Sequence, residues 1–239
     1  MTITTRTIDY RDGERQLEGF LCLDDAVSGP RPGVLIAHTW RGRSAFEEGN
    51  ARQLARLGYA GFALDLFGKG VLGNSPEQNR ALMQPLMDDR GMLQRRMQLA
   101  VEAVRSQDEV DGKRIAAIGF CFGGLCVLDL ARGGADVKGV VSFHGLLGPP
   151  GNTDGSRITA KVLVMHGWDD PLAPQEDLVK LGYELTDAGA DWQIHAYGNA
   201  MHAFTNPAAN NADFGTVYQA DADRRSRGSM RVFLGEIFR

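Results

Sequence analysis

Ile118-Gly119-Phe120-Cys121-Phe122-Gly123-Gly124 is the stretch on which the reading of the whole chain turns. Arg114 to Gly119 reads as a strand and Leu125 to Arg132 as a helix, so Cys121 falls on the turn between them. The pattern G-x-C-x-G is that of a nucleophile elbow with cysteine at its centre. A residue on so sharp a turn takes strained backbone angles. Its neighbours two positions away must be small, or their Cβ atoms collide with the turn, and here they are Gly119 and Gly123. The turn places the thiol at a helix N-terminus, where the dipole and free N–H groups favour negative charge on sulfur. The backbone N–H of Phe122 is then a donor for an oxyanion. An inert buried cysteine is the alternative that this motif leaves open. A phosphate loop is excluded, because no Lys-Ser/Thr pair follows the glycines. Cys22 lies in an N-terminal strand, and Cys126, on the helix after the elbow, reads as core. Cys121 and Cys126 lack C-x-x-C spacing, which argues against a dithiol redox site.

Outward from the elbow, short apolar runs alternate with helical patterns. Residues 4–10 and 15–23 read as a hairpin turning at Asp12-Gly13. Gly33 to His38, Ala60 to Leu66, Val137 to Phe143, Lys161 to His166 and Trp192 to Tyr197 read as further strands. Helices are expected over Glu48–Leu57, Glu77 to about Gln107, Pro174–Ala188 and Ala222–Phe238. Strands alternating with helices predict a mostly parallel central sheet of about seven or eight strands with helices on both faces. No linker or repeat divides the chain, so residues 1–239 read as one domain, with residues 67–90 as a candidate cap.

In a parallel sheet, functional groups gather beyond the carboxyl ends of the strands. The residues there are His38-Thr39-Trp40, Asp65, Cys121, His144, Asp169-Asp170 and His202. Cys121, Asp170 and His202 come in the order nucleophile, acid, base, which is the chain order of α/β-hydrolase triads. His202 can take the thiol proton while a carboxylate holds the imidazole in the useful tautomer. Asp170 is preferred as the acid because Pro171 keeps it extended, with Asp169 in reserve. Five scattered histidines without H-x-x-x-H or H-E-x-x-H spacing predict no metal site.

Four segments resemble the dienelactone hydrolase family of the α/β-hydrolase fold. They are the Gly-Phe-Cys-Phe-Gly-Gly elbow, Gly167-Trp168-Asp169-Asp170-Pro171, the Tyr197-to-Phe204 segment, and Gly58-Tyr59 to Asp65-Leu66. The resemblance implies hydrolysis of an ester or lactone through an acyl-thiol intermediate, without cofactor or metal. It also implies a second oxyanion donor just after the third strand, for which Trp40 is the choice. In that family a glutamate follows this strand, and Thr39 stands in its place. Glu47, Glu48 and His38 are unranked candidates to replace it. The family holds its substrate's carboxylate with two arginines; Arg80 matches one, and Asn206 stands where the other belongs. An asparagine does not replace a bidentate guanidinium, so a neutral ester is the expected substrate. Trp168 and Phe204 join Thr39 and Arg80 as expected substrate contacts, with Phe67, Met83, Met87, Phe122, Phe143 and His144 as further apolar wall candidates.

Composition narrows the field. The chain has 239 residues, 43% of them hydrophobic, and Lys+Arg 26 against Asp+Glu 30 gives a net charge of −4. This argues against a nucleic-acid partner. No apolar run approaches the roughly 18 residues of a membrane span, and early charges argue against a signal peptide. Three cysteines in a long chain predict free thiols and a cytoplasmic protein. Two rival readings remain: a neutral phosphotriester as substrate at the same cysteine, or a non-catalytic binding module with a redox-sensitive thiol.

Overall fold

The computed structural model describes residues 2–153 and 155–239. The elements in chain order are β1 (Ile3–Asp12), β2 (Arg15–Asp24), β3 (Arg31–Ala37), α1 (Ala45–Arg56), β4 (Ala60–Ala63), α2 (Pro76–Asp88), α3 (Arg90–Arg105), β5 (Val110–Phe120), α4 (Phe122–Arg132), β6 (Gly139–Phe143), β7 (Lys161–Gly167), α5 (Gln175–Asp187), β8 (Trp192–Tyr197), β9 (Asn210–Asn211), β10 (Thr216–Val217) and α6 (Ala220–Ile237). The strands form an eight-stranded sheet in the order β1-β2-β4-β3-β5-β6-β7-β8, with β9 and β10 as a separate two-stranded ribbon. Among the described residues, no helix is long and apolar enough to cross a membrane. The chain clusters into two units, Met1–Ile118 and Gly119–Arg239.

In the first unit, β1 and β2 pair antiparallel from Ile3↔Asp24 to Asp12↔Arg15. Gly13 turns the hairpin at φ 59°, a conformation glycine adopts without Cβ strain. β3 and β4 run parallel, as expected for apolar runs linked through a helix. That helix, α1, starts three residues earlier than its apolar pattern suggests. Ser44 caps it and Glu47 completes a capping box, which satisfies N–H groups that hydrophobic periodicity does not register. The helical stretch expected from Glu77 to about Gln107 is two helices. Asp89 leaves the helical region at φ −123°, ψ 85° and caps α3 by accepting the Met92 N–H at 2.8 Å. Asp12 sits between Arg95 and Arg96, 2.7 Å and 2.8 Å from their Nε atoms. The Arg95 hydrogen bond, with Arg96 beside it, holds the Asp12 carboxyl down to about 2.

In the second unit, β6, β7 and β8 are parallel neighbours. Every residue of α4 is buried, so this helix belongs to the core and not to a surface layer. Its last residue, Arg132, is a buried cation with its charge paired. The guanidinium donates to both Glu184 oxygens at 2.7 Å and 2.8 Å, to Asp129 at 3.2 Å, and to the carbonyls of Leu147 and Gly148. α6 buries Phe233, Leu234 and Ile237, and the Phe233 and Ile237 side chains reach Gly139 of β6.

α1 lies so close on β4 that a Cβ at Gly61 would stand 2.3 Å from the Ala51 carbonyl oxygen. Helix backbone cannot give way as a flexible side chain can. Gly61→Ala should therefore lower the unfolding free energy by about 1–3 kcal/mol in a urea titration. An unchanged midpoint would show that α1 slides freely on the strand.

Candidate active site

The turn from β5 into α4 has the geometry its glycines allow. Cys121 takes φ 56°, ψ −119°, a strained conformation for a residue with a Cβ, and such residues cost on the order of 1–3 kcal/mol. A Cβ on Gly119 would lie 2.0 Å from the Gly123 carbonyl oxygen, so no other residue fits there. A Cβ on Gly124 would lie 2.6 Å from Gly145 Cα. Phe122 is the first residue of α4, so its N–H lies in the first turn at the helix start. Cys121 is part-exposed, whereas Cys22 and Cys126 are buried. Burial pushes the Cys22 thiol up to about 11, which makes it a poor nucleophile.

His202 and Asp170 meet at 2.7 Å, Nδ1 to Oδ2, with both side chains buried. Asp170 Oδ1 accepts the Leu172 N–H at 2.8 Å, so both carboxylate oxygens are used. Asp169 is exposed, and its backbone N–H donates to the Ala200 carbonyl. The backbone of His202 is pinned on both sides. Its N–H donates to Gly215 O at 2.9 Å, and its carbonyl accepts the Val217 N–H at 3.0 Å. Gly215 has φ +77°, and a Cβ there would stand 2.1 Å from Pro171 Cγ. The Asp170 loop and the segment that holds the His202 backbone therefore touch.

Burial disfavours the His202 imidazolium, but the charge of the Cys121 sulfur and the hydrogen bond to Asp170 outweigh it and raise His202 to about 10. Nε2 is buried without a partner of strict hydrogen-bond geometry. The Cys121 sulfur is nonetheless close enough to act on the imidazole through its charge and as a hydrogen-bond partner.

His144 follows the last residue of β6, at φ 38°, and is buried. Its Nδ1 accepts the Cys121 N–H at 3.2 Å, and Nε2 lies 2.8 Å from Thr205 Oγ1. Burial and the nearby His202 push its pKa well below the ordinary value, so this imidazole is neutral. Sequence reading placed His144 at a strand end and among wall candidates. Its bond to the elbow backbone depends on a positive φ that no sequence pattern announced. Phe204 is buried, with its ring 5.0 Å from that of His144, and it buttresses the histidine cluster. Trp168 is 45% exposed. The Asn206 side chain accepts the Ala208 N–H at 3.0 Å, as a turn residue does.

In the first unit, the candidates around Thr39 separate. His38 uses both ring nitrogens at the strand ends, with Nδ1 2.7 Å from Thr39 O in its own turn and Nε2 accepting the Leu66 N–H beyond β4 at 3.1 Å. Glu48 pairs with Arg43 at 2.6 Å. Glu47 is fully buried and accepts from the Thr39 N–H at 3.2 Å, the Ser44 N–H at 2.9 Å and the Ser44 hydroxyl at 2.7 Å. Of the two glutamates, Glu47 is the one whose carboxylate accepts the Thr39 N–H. Trp40 is half-buried, and Arg80 is exposed on α2. Among the described residues, no group of three His, Cys, Asp or Glu side chains could hold a metal ion.

A family model described as the dienelactone hydrolase family matches residues 17–238. The chain belongs to the dienelactone hydrolase family. It is therefore a hydrolytic enzyme, on an α/β-hydrolase fold. A solved structure named m3DLH is 40% identical, with a TM-score of 0.95 over 99% of each chain. A dienelactone hydrolase-like promiscuous phosphotriesterase from metagenomic libraries is 39% identical, with a TM-score of 0.93 over 99% of each chain. An uncharacterized Caenorhabditis elegans protein is 35% identical over 157 residues, which is 63% of this chain and 98% of the worm protein.

Two expectations follow for this hydrolase. Asp170→Asn should cut turnover by about 10⁴-fold, by favouring the wrong imidazole tautomer, while Asp169→Asn stays near wild type. Steady-state kinetics check this, and the reverse order would reassign the acid. The second concerns His202. A histidine raised to about 10 stabilises the native state fully below its ordinary value near 6.5, and that contribution is lost as pH rises through about 10. Cys121→Ala removes the sulfur's charge, so the His202 imidazole should titrate at a lower pH when followed by nitrogen NMR. An equal midpoint in both proteins would exclude the sulfur as the cause.

Proposed function

We propose that this dienelactone hydrolase family member cleaves neutral carboxylic esters or lactones with Cys121 as nucleophile, His202 as base and Asp170 as the acid that orients it. The observation that carries this reading is the buried 2.7 Å contact between His202 and Asp170, with His202 raised by a cysteine on a strained elbow. The sulfur attacks the carbonyl carbon and an S–C bond forms. The oxyanion is held by donors that include the Phe122 N–H. The C–O bond breaks, and the alkoxide leaves with the proton held on His202 Nε2. Water, deprotonated by His202, then cleaves the thioester and frees the acid and the thiol. Asn206, held in its own turn, offers no cation for a substrate carboxylate, which supports a neutral substrate. We read residues 1–239 as one catalytic domain of a cytoplasmic enzyme, in keeping with its free cysteines.

A second reading has its own support, the 39% identical relative described as a promiscuous phosphotriesterase. The same sulfur would attack phosphorus and expel an aryloxide. Turnover of aryl esters and aryl phosphotriesters on one preparation compares the two, and phosphotriester turnover no higher than background would end the second.

Cys121→Ala should abolish both activities while preserving the fold. Cys121→Ser tests tuning for sulfur. A hydroxyl must lose its proton during attack and depends wholly on His202, so kcat should fall at least about 100-fold, near 2.7 kcal/mol of barrier. The loss should be largest for poor leaving groups. A serine variant as fast as wild type would refute the argument from thiolate reactivity.

A further inference from the structure

The backbone at Cys121 is strained, so something must hold it. The clearance at Gly119 permits the conformation without enforcing it. Two acceptors receive the Cys121 N–H: the Phe143 carbonyl at 3.1 Å and His144 Nδ1 at 3.2 Å. The carbonyl belongs to the strand ladder. The imidazole is a side chain whose acceptor state must be arranged.

Three observations show how it is arranged. The Cys121 N–H donates to His144 Nδ1, so in the neutral ring the proton is on Nε2, and the Thr205 hydroxyl oxygen at 2.8 Å is placed to accept it. Thr205 is fully buried and lies three residues beyond His202, on the same turn. The His144 backbone is itself fixed, with its N–H on Met165 O at 2.8 Å. A continuous chain of hydrogen bonds therefore runs from the elbow N–H through one neutral imidazole to the segment that carries the base. The His144 ring also stands edge-on to His202, with centroids 5.2 Å apart.

We propose that His144 is a positioning residue for the nucleophile: by accepting the Cys121 N–H on Nδ1, with Thr205 as the partner of its Nε2 proton, it holds the elbow in the conformation that aims the sulfur and the Phe122 N–H together. Sulfur and N–H share the Cys121 Cα and the peptide after it, so a rotation of that backbone misplaces both. The proposal rests on Cys121 as the nucleophile. Its neutral state agrees with the burial of the ring beside His202, since a protonated Nδ1 would present a donor to a donor.

The test uses three variants of the full chain. His144→Phe keeps a ring and removes the acceptor. His144→Asn restores an acceptor and tolerates the positive φ. Thr205→Val keeps the shape and frees the tautomer. Aryl-ester kcat and KM, thermal midpoint, and the pH profile of Cys121 alkylation by iodoacetamide, followed by peptide mass, are measured for each. His144→Phe should lose about 30- to 100-fold in kcat with KM nearly unchanged, as misplaced reacting groups do. His144→Asn should return to within about fivefold of wild type, and Thr205→Val should fall between them with an altered alkylation profile. Wild-type kcat in folded His144→Phe would overturn the proposal, as would equal losses in the Phe and Asn variants that track their thermal midpoints. If His144→Phe does not fold, wild-type turnover and alkylation in Thr205→Val overturn it instead. Alkylation reports the thiol's presentation without any turnover. It therefore separates failure of this role from failure of Cys121 as nucleophile, which ester turnover by Cys121→Ala would reveal.

Discussion

A strand that runs straight into a helix has to reverse its backbone within one residue, and here that residue is Cys121 at φ 56°. Much of the second unit is arranged around this constraint. Gly119 leaves space for the Gly123 carbonyl, and Gly124 lets α4 approach Gly145. α4 can then run buried along its whole length, which its sequence Phe-Gly-Gly-Leu-Cys-Val-Leu suits. The strain is useful because it turns the cysteine side chain out of the packed strand and helix while the backbone stays bonded to Phe143 O and the Gly124 N–H. A strand cysteine would be buried like Cys22, and a helix cysteine like Cys126. Only the turn leaves the sulfur part-exposed at a helix start.

Three buried imidazoles surround this turn and its acid, and they are not equivalent. His202 has a carboxylate at 2.7 Å and a sulfur within electrostatic reach, and it is raised. His144 and His166 are lowered, first by burial. His166 has no carboxylate hydrogen bond, although the charge of Asp170 pulls it the other way. The second-unit site thus concentrates its proton on one ring. Two protonated imidazoles with centroids 5.2 Å apart would repel strongly in a low-dielectric setting. Keeping His144 neutral protects the charge on His202, and it also preserves the acceptor that faces the elbow.

How much of this could be read beforehand follows from how local each cause is. The elbow was legible because steric clearance fixes residue types at set spacings, so Gly119 and Gly123 mark Cys121 without any tertiary knowledge. The Pro171 restriction on the residue before it singled out Asp170, and it is Asp170 rather than Asp169 that meets His202. The break at Asp89 was harder, because apolar periodicity continues across it and only the cap side chain marks the boundary. The β9–β10 ribbon went unread, since its strands have two residues each and no apolar alternation. Glu47 could not be told from Glu48 by charge or position. The capping box turns Glu47 inward to Thr39, while Arg43 draws Glu48 away.

The unread ribbon matters more than its size suggests. His202 stands on no regular strand of the large sheet, yet it must stay within hydrogen-bond range of Asp170. Its N–H and carbonyl are both taken by residues 215–217, which gives His202 a bridge in place of a strand. Gly215 then meets Pro171, the residue that follows Asp170. A displacement of the ribbon would therefore press on both the His202 backbone and the Asp170 loop. Asp170 and His202 are held relative to each other by this three-way contact as well as by their own hydrogen bond. For the base proposed at His202, carried on a loop, that matters, because a shift of about 1 Å can cost about 10²-fold in rate.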